Sequence, residues 1–451
     1  MRKVLLSGIT TAALLALAPL FASAHAIGQV YNLPVPLKYY LLGAGATVAV
    51  SFVLIGFFLN KAPAQQLWQK TVSLPWLRPV IAVLQIIAVL VLFLAVLAGM
   101  FGADDPLRNF TPLFFWVYFL IGVGILHLLI GNLWDAVLNP WKRIAAWLGF
   151  NPEKKISGLV SPVLLYGLFW LELVAIAPFL PHILGTALAG YTVLNVIAAI
   201  YFENWFRDAE LFSVLYGFIG KIAFFKISAD GRALVISKPS DKIATAAPNY
   251  LLLFAVMLLA GTSFDSFKET RIWLTLAAAL HGFAHYHLFE SIVLLLFPIP
   301  FLAGYLLAVW LMRFLVQTEL NFGELARRFS WSLVPIAFGY TLAHNFSLMI
   351  VSIPQFSAVL SDPLGLGWNL FHTAQNYGGT IVLSAKLVWF FEIGFVILAH
   401  IIGVLFAHLI ALRTFNAPAD AAKSQYPMVI LMVGYTIFTL WLLSLPLVIG
   451  G

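Results

Sequence analysis

The chain has 451 residues, of which 62% are hydrophobic and only 10% charged, and its mean hydropathy is +0.98. A soluble protein of this length cannot bury so much apolar surface, so the composition excludes an ordinary soluble fold and favours a protein that sits in lipid. The net charge is +7, but the basic residues lie in short gaps between apolar runs, which is a membrane-topology pattern and predicts no nucleic-acid partner.

The first 24 residues are typical of a secretory signal peptide. Arg2 and Lys3 precede a short apolar core, and Ala22 and Ala24 form an Ala-x-Ala cleavage site before His25. An uncleaved anchor is the alternative, although the apolar core is short for a membrane span. We therefore predict a signal peptide over residues 1–24, followed by a single transmembrane domain over residues 25–451.

The rest of the chain alternates between long apolar runs and short polar gaps. This pattern predicts an all-α, polytopic bundle of about ten transmembrane helices, each long enough to cross about 30 Å of hydrocarbon. The predicted spans are residues 39–59, 79–102, 111–138, 158–180, 183–202, 248–264, 284–312, 329–353, 381–412 and 427–449.

The distribution of Lys and Arg predicts the orientation of these spans. If His25 lies outside the membrane, the inner gaps hold eighteen Lys and Arg residues and the outer side holds five. Cytoplasmic loops are enriched in basic residues, so we expect both ends of the mature chain on the outer side.

The stretch near residues 211–225 is apolar but too short to span, and a basic loop follows it. We predict an interfacial or re-entrant helix on the inner side, because a further span would place the basic loop outside.

Three histidines form an H-x-x-x-H-x-H run before the seventh predicted span. His281 and His285 are one helical turn apart and can share a metal ion, and His287 can join them if the helix begins after Ala284. The alternative is that these residues are ordinary membrane-interface histidines.

His25 is a second candidate metal ligand. As the first residue of the mature chain it would offer its amino group and its imidazole together, which resembles the amino-terminal copper ligand of copper monooxygenases and copper-binding periplasmic proteins. Imidazole suits copper and zinc alike, and the chain has no cysteine, so any metal must use nitrogen or oxygen ligands. A coincidence at the cleavage site is the alternative.

Two acidic residues at span ends, Asp265 and Glu290, lie beside the histidine run and could complete a site or activate water. Other outer acids, among them Asp104 and Asp362, are more simply explained as solvated loop residues.

Several ionisable residues fall inside the predicted spans, where each requires a partner or a polar cavity. Glu392, His400 and His408 are spaced by eight residues on one stripe of one span, and His344 lies in the outer half of another. Such a ladder could relay protons or hold a metal, or it could be a structural hydrogen-bond network. The other ionisable residues inside the predicted spans are His127, Asp135, Glu172 and Lys386.

Motifs for nucleotide binding and common hydrolases are missing. The chain has no G-x-x-x-x-G-K-[ST], G-x-S-x-G or H-E-x-x-H, which disfavours an ATP-driven pump and a standard serine hydrolase.

Several stretches resemble a family of polytopic bacterial membrane proteins described as fenitrothion hydrolases. They are HAIGQVYNLPVPLKYYLLGAGA, RNFTPLFFWVYF, GNLWDAVLNPWK, LVPIAFGYTLAHN, AHIIGVLFAHLIAL and YPMVILMVGYTIFTLWLLSLP. The resemblance implies cleavage of an organophosphorus triester by a protein of the bacterial inner membrane. The candidate ligands within these stretches are His25, His344, His400 and His408, and the run of three histidines lies outside them.

Three functions follow from these observations. The first is a hydrolase in which a copper or zinc ion activates water for attack on an apolar organophosphate triester, with Glu392, Asp265 or Glu290 as the proton acceptor. The candidate metal ligands are His25, His281, His285, His287, His344, His400 and His408. The second is a transporter or metal-handling permease that uses the same residues as a path, and the third is copper redox chemistry at His25. The expected partners are the lipid bilayer and a small apolar substrate, with a second subunit left open.

Overall fold

The computed structural model describes residues 33–59, 69–243, 246–280, 285–376 and 384–445. The predicted signal peptide, His25 and His281 lie outside the described residues. The described residues form a helical bundle with one small sheet, which confirms the predicted all-α membrane fold.

The helices are α1 (Leu37–Phe58), α2 (Leu77–Phe101), α3 (Phe110–Leu129), α4 (Pro140–Leu148), α5 (Val160–Leu173), α6 (Pro181–Tyr201), α7 (Leu211–Ile219), α8 (Pro239–Lys242), α9 (Asn249–Lys268), α10 (Arg271–Leu280), α11 (Tyr286–Leu296), α12 (Pro298–Val316), α13 (Phe322–Phe329), α14 (Leu333–His344), α15 (Phe346–Ser352), α16 (Gln355–Ser361), α17 (Ala385–Thr414), α18 (Pro418–Ser424) and α19 (Tyr426–Ser444).

Eight helical stretches within the described ranges are long and apolar enough to cross a membrane, so the chain is a multi-pass membrane protein. They correspond to eight of the ten predicted spans. Six are the single helices α1, α2, α3, α6, α9 and α17, and the others are Tyr286–Val316 (α11 and α12) and Pro418–Ser444 (α18 and α19).

The other two predicted spans take different forms. The span predicted at 329–353 is a broken helix, Phe322–His344 followed by Phe346–Ser352, with a bend of 50° between them. The span predicted at 158–180 contains α5, which has only 14 residues and covers about 21 Å. Residues 174–180, which follow it, are irregular.

The helices differ in how deeply they are buried. In the most apolar stretch of α9, 67% of the residues are buried, and the value for α17 is 61%. The corresponding value is 22% for both α1 and α2, whose exposed side chains are almost all apolar. Helices α9 and α17 are therefore central, and α14 packs between them.

The ends of the helices define two faces of the bundle. We call one the basic face; it contains residues 69–78, 130–159, 202–243, 246–248, 317–332 and 415–425. Contacts between distant segments hold this face together. Arg413, at the end of α17, donates to the Ser240 carbonyl, and the backbone N–H of Ala247 donates to the Arg327 carbonyl of α13. The opposite face contains residues 102–109, 174–180, 269–280, 285 and 353–376, and there the backbone N–H of Ala103 bonds to the Leu364 carbonyl.

The basic face carries a three-stranded antiparallel sheet in the order β1-β3-β2, which the sequence analysis did not predict. The strands are β1 (Gln69–Ser73), β2 (Phe225–Ile227) and β3 (Ala233–Ser237), and Gln69 pairs with Ser237. The turn between β2 and β3 contains Asp230 and Gly231, and the φ of +67° at Gly231 is a conformation that glycine adopts without strain.

The stretch near residues 211–225 forms the nine-residue helix α7, and eight of its nine side chains are buried. The Glu210 carboxylate caps it by accepting the backbone N–H groups of Phe212 and Ser213. Close contact of Gly220 with Gly131 then returns the chain to the basic face, where β2 begins.

Candidate functional site

The C-terminal ends of α9 and α14 bring an aspartate and a histidine together on the opposite face. His344 Nε2 lies 2.6 Å from Asp265 Oδ2, so the ring N–H donates a short hydrogen bond to the carboxylate. Both helices run from the basic face to the opposite face, and they approach closely because small hydroxyl residues line their contact; Thr262 Oγ1 is 3.1 Å from Thr341 Oγ1. The His344 side chain is 8% exposed and that of Asp265 is 23% exposed, so the Asp265 carboxylate is the more accessible part of the pair.

A chain of hydroxyl groups leads from this pair into the bundle. Ser266 Oγ lies 3.1 Å from His344 Nδ1 and 2.9 Å from the Tyr340 hydroxyl. When His344 Nε2 donates to Asp265, the neutral ring accepts at Nδ1, so Ser266 donates to His344 and Tyr340 donates to Ser266. Each group donates to the next, which is an arrangement that can hold the imidazole in one tautomer and pass a proton along it.

Two further carboxylates lie near Asp265. Glu172, the last residue but one of α5, and Glu269, the residue after α9, both interact electrostatically with it. Burial raises the pKa of Glu269, and the negative charge of Asp265 raises it further, whereas His344 and Lys268 lower it. Asp265 therefore has one imidazole as its bonded partner and two further carboxylates in its electrostatic neighbourhood.

A second charged cluster lies around Glu290 of α11. It includes Lys268, which is one turn after Asp265 on α9. Lys268 Nζ is 3.2 Å from Glu290 Oε1, and His287 Nδ1 is 3.4 Å from Glu290 Oε2. The Tyr286 hydroxyl donates to the same carboxylate at 3.1 Å, and Lys268 also donates to the carbonyl of Leu173 at the end of α5. Glu290, predicted as a proton acceptor, is thus bound to a cation and to donors, which is the environment of a structural ion pair.

The three predicted site residues of α17, Glu392, His400 and His408, do not join either cluster. His400 Nδ1 donates to the Val396 carbonyl at 2.8 Å, and His408 Nε2 donates to the Leu59 carbonyl at 2.6 Å. His408 Nδ1 also faces Gln425 Oε1 at 3.1 Å, whereas the buried His400 Nε2 and Glu392 Oε2 have no partner among the described residues. Each step of eight residues moves about 12 Å along α17 and about 80° around it, so Glu392, His400 and His408 neither share a site nor line one stripe of the helix.

The predicted metal ligands are only partly described. His25 and His281 lie outside the described ranges, and His285 precedes α11, which begins at Tyr286. In the part of the chain that the structure describes, no three His, Asp or Glu side chains converge on one point. The described residues therefore do not fit a metal centre, and the predicted copper or zinc ion stays a prediction that depends on the undescribed histidines.

Sequence reasoning missed several residues of the site. Ser266, Tyr340 and Lys268 contact the predicted residues directly, yet none was singled out. A signal was present: Tyr340 and His344 are four residues apart and Asp265 and Lys268 are three apart, so each pair shares one face of a helix.

Comparison with other proteins finds no match: no protein-family model matches the chain, and neither a curated protein nor a solved structure does. The resemblance to fenitrothion hydrolases therefore stays a prediction.

Proposed function

We propose that this protein is a membrane-embedded hydrolase that cleaves an apolar ester, and that Asp265 and His344 are its catalytic pair. The observation that supports the proposal is the 2.6 Å contact between the two side chains at the ends of two central helices. A carboxylate held by an imidazole and partly open to its surroundings is a suitable proton acceptor for an attacking water.

The proposed substrates are organophosphate triesters such as fenitrothion, the class that the family resemblance implies. Asp265 accepts a proton from water, His344 holds the carboxylate in position, and the resulting hydroxide attacks phosphorus. The bond from phosphorus to the aryl oxygen breaks, giving a dialkyl thiophosphate and a nitrophenol. The nitrophenolate is a weak base, so its departure needs no strong general acid.

The proposed orientation places the basic face in the cytoplasm and the Asp265–His344 pair on the periplasmic side of a bacterial inner membrane. The excess of Lys and Arg on that face supports this orientation. An apolar substrate could then reach the pair from the bilayer, and water could reach it from the periplasm.

A direct test compares Asp265→Asn with Asp104→Asn in the purified full chain, using release of nitrophenol from fenitrothion as the readout. Asp104 makes a similar pair with His182, at 2.8 Å, but both side chains are about half exposed. Loss of the proton acceptor lowers turnover by about 10²-fold or more, whereas Asp104→Asn leaves it unchanged. Equal activity of both variants and the wild type would overturn the proposal.

The role of a metal can be tested separately with protein treated with a chelator and checked by metal analysis. If Asp265 and His344 act without a metal, the metal-free protein retains its activity. Loss of activity on chelation with recovery on adding copper or zinc would instead support the predicted metal centre, with His25 or His281 among the ligands.

A second candidate function is transport, and the unpartnered polar atoms of α17 favour it. Buried polar groups normally find partners, so Glu392 Oε2 and His400 Nε2 suggest a path that a substrate or a proton occupies in another state. In membrane vesicles, a transporter would accumulate labelled fenitrothion, and Glu392→Gln would abolish the accumulation. A hydrolase would show no accumulation, and Glu392→Gln would keep its nitrophenol release within about twofold of wild type, as expected of a residue outside the reacting site.

A further inference from the structure

A cavity of about 1040 Å³ opens on the basic face, far from the Asp265–His344 pair. Tyr250, in the first turn of α9, lines this cavity, whereas Asp265 lies 15 residues further along the same helix, about 22 Å away. The cavity is therefore separate from the proposed hydrolytic site. Its charged lining residues are Asp135, Lys142, Glu203, Arg207, Asp208, Lys221, Lys226 and Lys242.

The acidic residues of this lining are already paired. Asp135 bonds to Lys142, and Asp208 accepts from Arg207 at 2.9 Å. Glu203 forms an ion pair with Lys155, which does not line the cavity, at 3.3 Å. No acidic lining residue is left to neutralise the other three cations.

Those three cations are Lys221, Lys226 and Lys242. None forms a salt bridge with a carboxylate within the described ranges. Lys242 donates to the Ala223 carbonyl, and Lys221 Nζ lies 5.7 Å from the centre of the Trp331 ring, so both are held by neutral groups. Three like charges thus share one cavity without a counter-charge.

Burial and mutual repulsion both disfavour this arrangement. Burial, together with the charges of Lys221 and Lys226, lowers the pKa of Lys242 to about 8. Burial and the charge of Lys226 also lower the pKa of Lys221. A bound anion would offset the repulsion between the lysines and stabilise the protonated form of each amine.

We infer that this cavity binds a phosphate-bearing anion, either the headgroup of an acidic lipid or a soluble phosphate compound. Three ammonium groups match an anion with several oxygens and more than one negative charge better than they match a single carboxylate. The volume exceeds that of a phosphate ion, so the cavity also has room for the group that carries the phosphate. Basic pockets between membrane helices on the cytoplasmic side commonly hold acidic lipid headgroups.

The test measures binding of inorganic pyrophosphate to the purified full chain in uncharged detergent, for wild type and for the double variant Lys221→Gln/Lys242→Gln. Removing two charge-assisted contacts weakens binding by on the order of tenfold for each lysine. The control is Lys154→Gln/Lys423→Gln, which removes the same charge from exposed positions of the basic face that do not line the cavity.

A second arm tests the lipid source by native mass spectrometry of protein extracted from membranes containing phosphatidylglycerol and cardiolipin. Retention of these lipids by wild type and by the control, but not by the cavity variant, identifies a lipid headgroup as the ligand. Pyrophosphate binding without lipid retention identifies a soluble ligand. If neither probe binds, or if the cavity variant and the control lose binding equally, the inference is wrong.

Folding of the cavity variant can be checked without any ligand. Because the variant removes charges that repel each other, its thermal unfolding temperature equals or exceeds that of wild type. Lys221→Arg/Lys242→Arg provides a second check, since it keeps both charges and retains most of the pyrophosphate binding.

Discussion

The two faces of the bundle handle charge in opposite ways. On the opposite face, acidic and basic side chains from different helices pair with one another, as Asp265 does with His344 and Lys268 with Glu290. On the basic face, the acidic residues of the cavity form ion pairs with other cations. Lys221, Lys226 and Lys242 share that cavity and have no carboxylate partner among the described residues. The first arrangement is complete within the protein and fixes helix positions. The second is complete only with an anion from outside.

The largest stability effect is expected from Glu290→Ala, which breaks the paired network. The Glu290 carboxylate is 4% exposed and Lys268 is 26% exposed, so the variant leaves a mostly buried cation without its counter-charge. We expect a loss of about 3 kcal/mol in the free energy of unfolding, at the low end for buried pairs because Lys268 keeps some solvent contact.

Its control is Glu324→Ala, which removes the partner of Arg328 in a one-turn pair on α13 with side chains about 30% exposed. That change costs less than about 1 kcal/mol. Reversible unfolding in mixed micelles measures both values. Equal losses in the two variants would contradict the view that the Glu290 cluster is a structural ion pair.

A smaller effect is expected from Gly339→Ala, which tests how closely α14 and α17 must pack. A Cβ at position 339 would lie 2.2 Å from the Ala399 Cβ, which cannot move without its backbone. We expect a loss of about 1–3 kcal/mol, the usual range for overpacking. Because α14 carries His344, hydrolysis falls as well.

Gly394→Ala on α17 is the matched control, since a Cβ there meets nothing within 4 Å. It is neutral or slightly stabilising, because alanine is the better helix former. If Gly339→Ala is as stable as Gly394→Ala, the two helices are not in tight contact.

The smallest effect is a pH dependence that arises on the basic face. The pKa of Lys242 is about 8 in the folded protein and near 10.4 when unfolded, so the unfolded chain binds the extra proton between these values. Lys242 therefore makes the ligand-free protein more stable as the pH increases through 8, and Lys242→Gln removes this contribution but leaves that of Lys221, whose pKa is also lowered. The remaining charged groups facing Lys242 in the cavity are Asp135, Lys142, Glu203, Arg207, Asp208, Lys221 and Lys226.

Thermal unfolding at pH 7 and pH 9, with and without sulfate, measures this effect. Sulfate keeps the same charge over that range, so any change in its stabilising effect reports on the protein. We expect sulfate to stabilise wild type more at pH 7, when Lys242 is protonated. A sulfate effect that is the same at both pH values would show that Lys242 does not contact the anion.

The fold was largely predictable because long apolar runs leave few alternatives to membrane helices. The error at α5 has a local cause: the apolar run continues to residue 180, but Pro178 and Pro181 disfavour helix in the residues that precede them, and the helix ends at Leu173. The small sheet was missed because its strands are short, although the Asp230–Gly231 turn was a hairpin signal.

The site was only partly predictable for a different reason. Asp265 and His344 could each be named from the sequence, but they are 79 residues apart and meet only through the packing of α9 against α14. Hydroxyl residues inside helices usually bond to their own backbone, as Ser263 does, so nothing distinguished Ser266 from its neighbour.

The sheet on the basic face also constrains how the protein can be made. Gln69 in β1 pairs with Ser237 in β3, which leaves the ribosome 168 residues later. At 5–20 residues per second, β1 waits on the order of ten to thirty seconds for its partner, while the helices between them enter the membrane. The residues of β1 cannot form this ladder during that interval, so the sheet is completed only after the first half of the chain has been made.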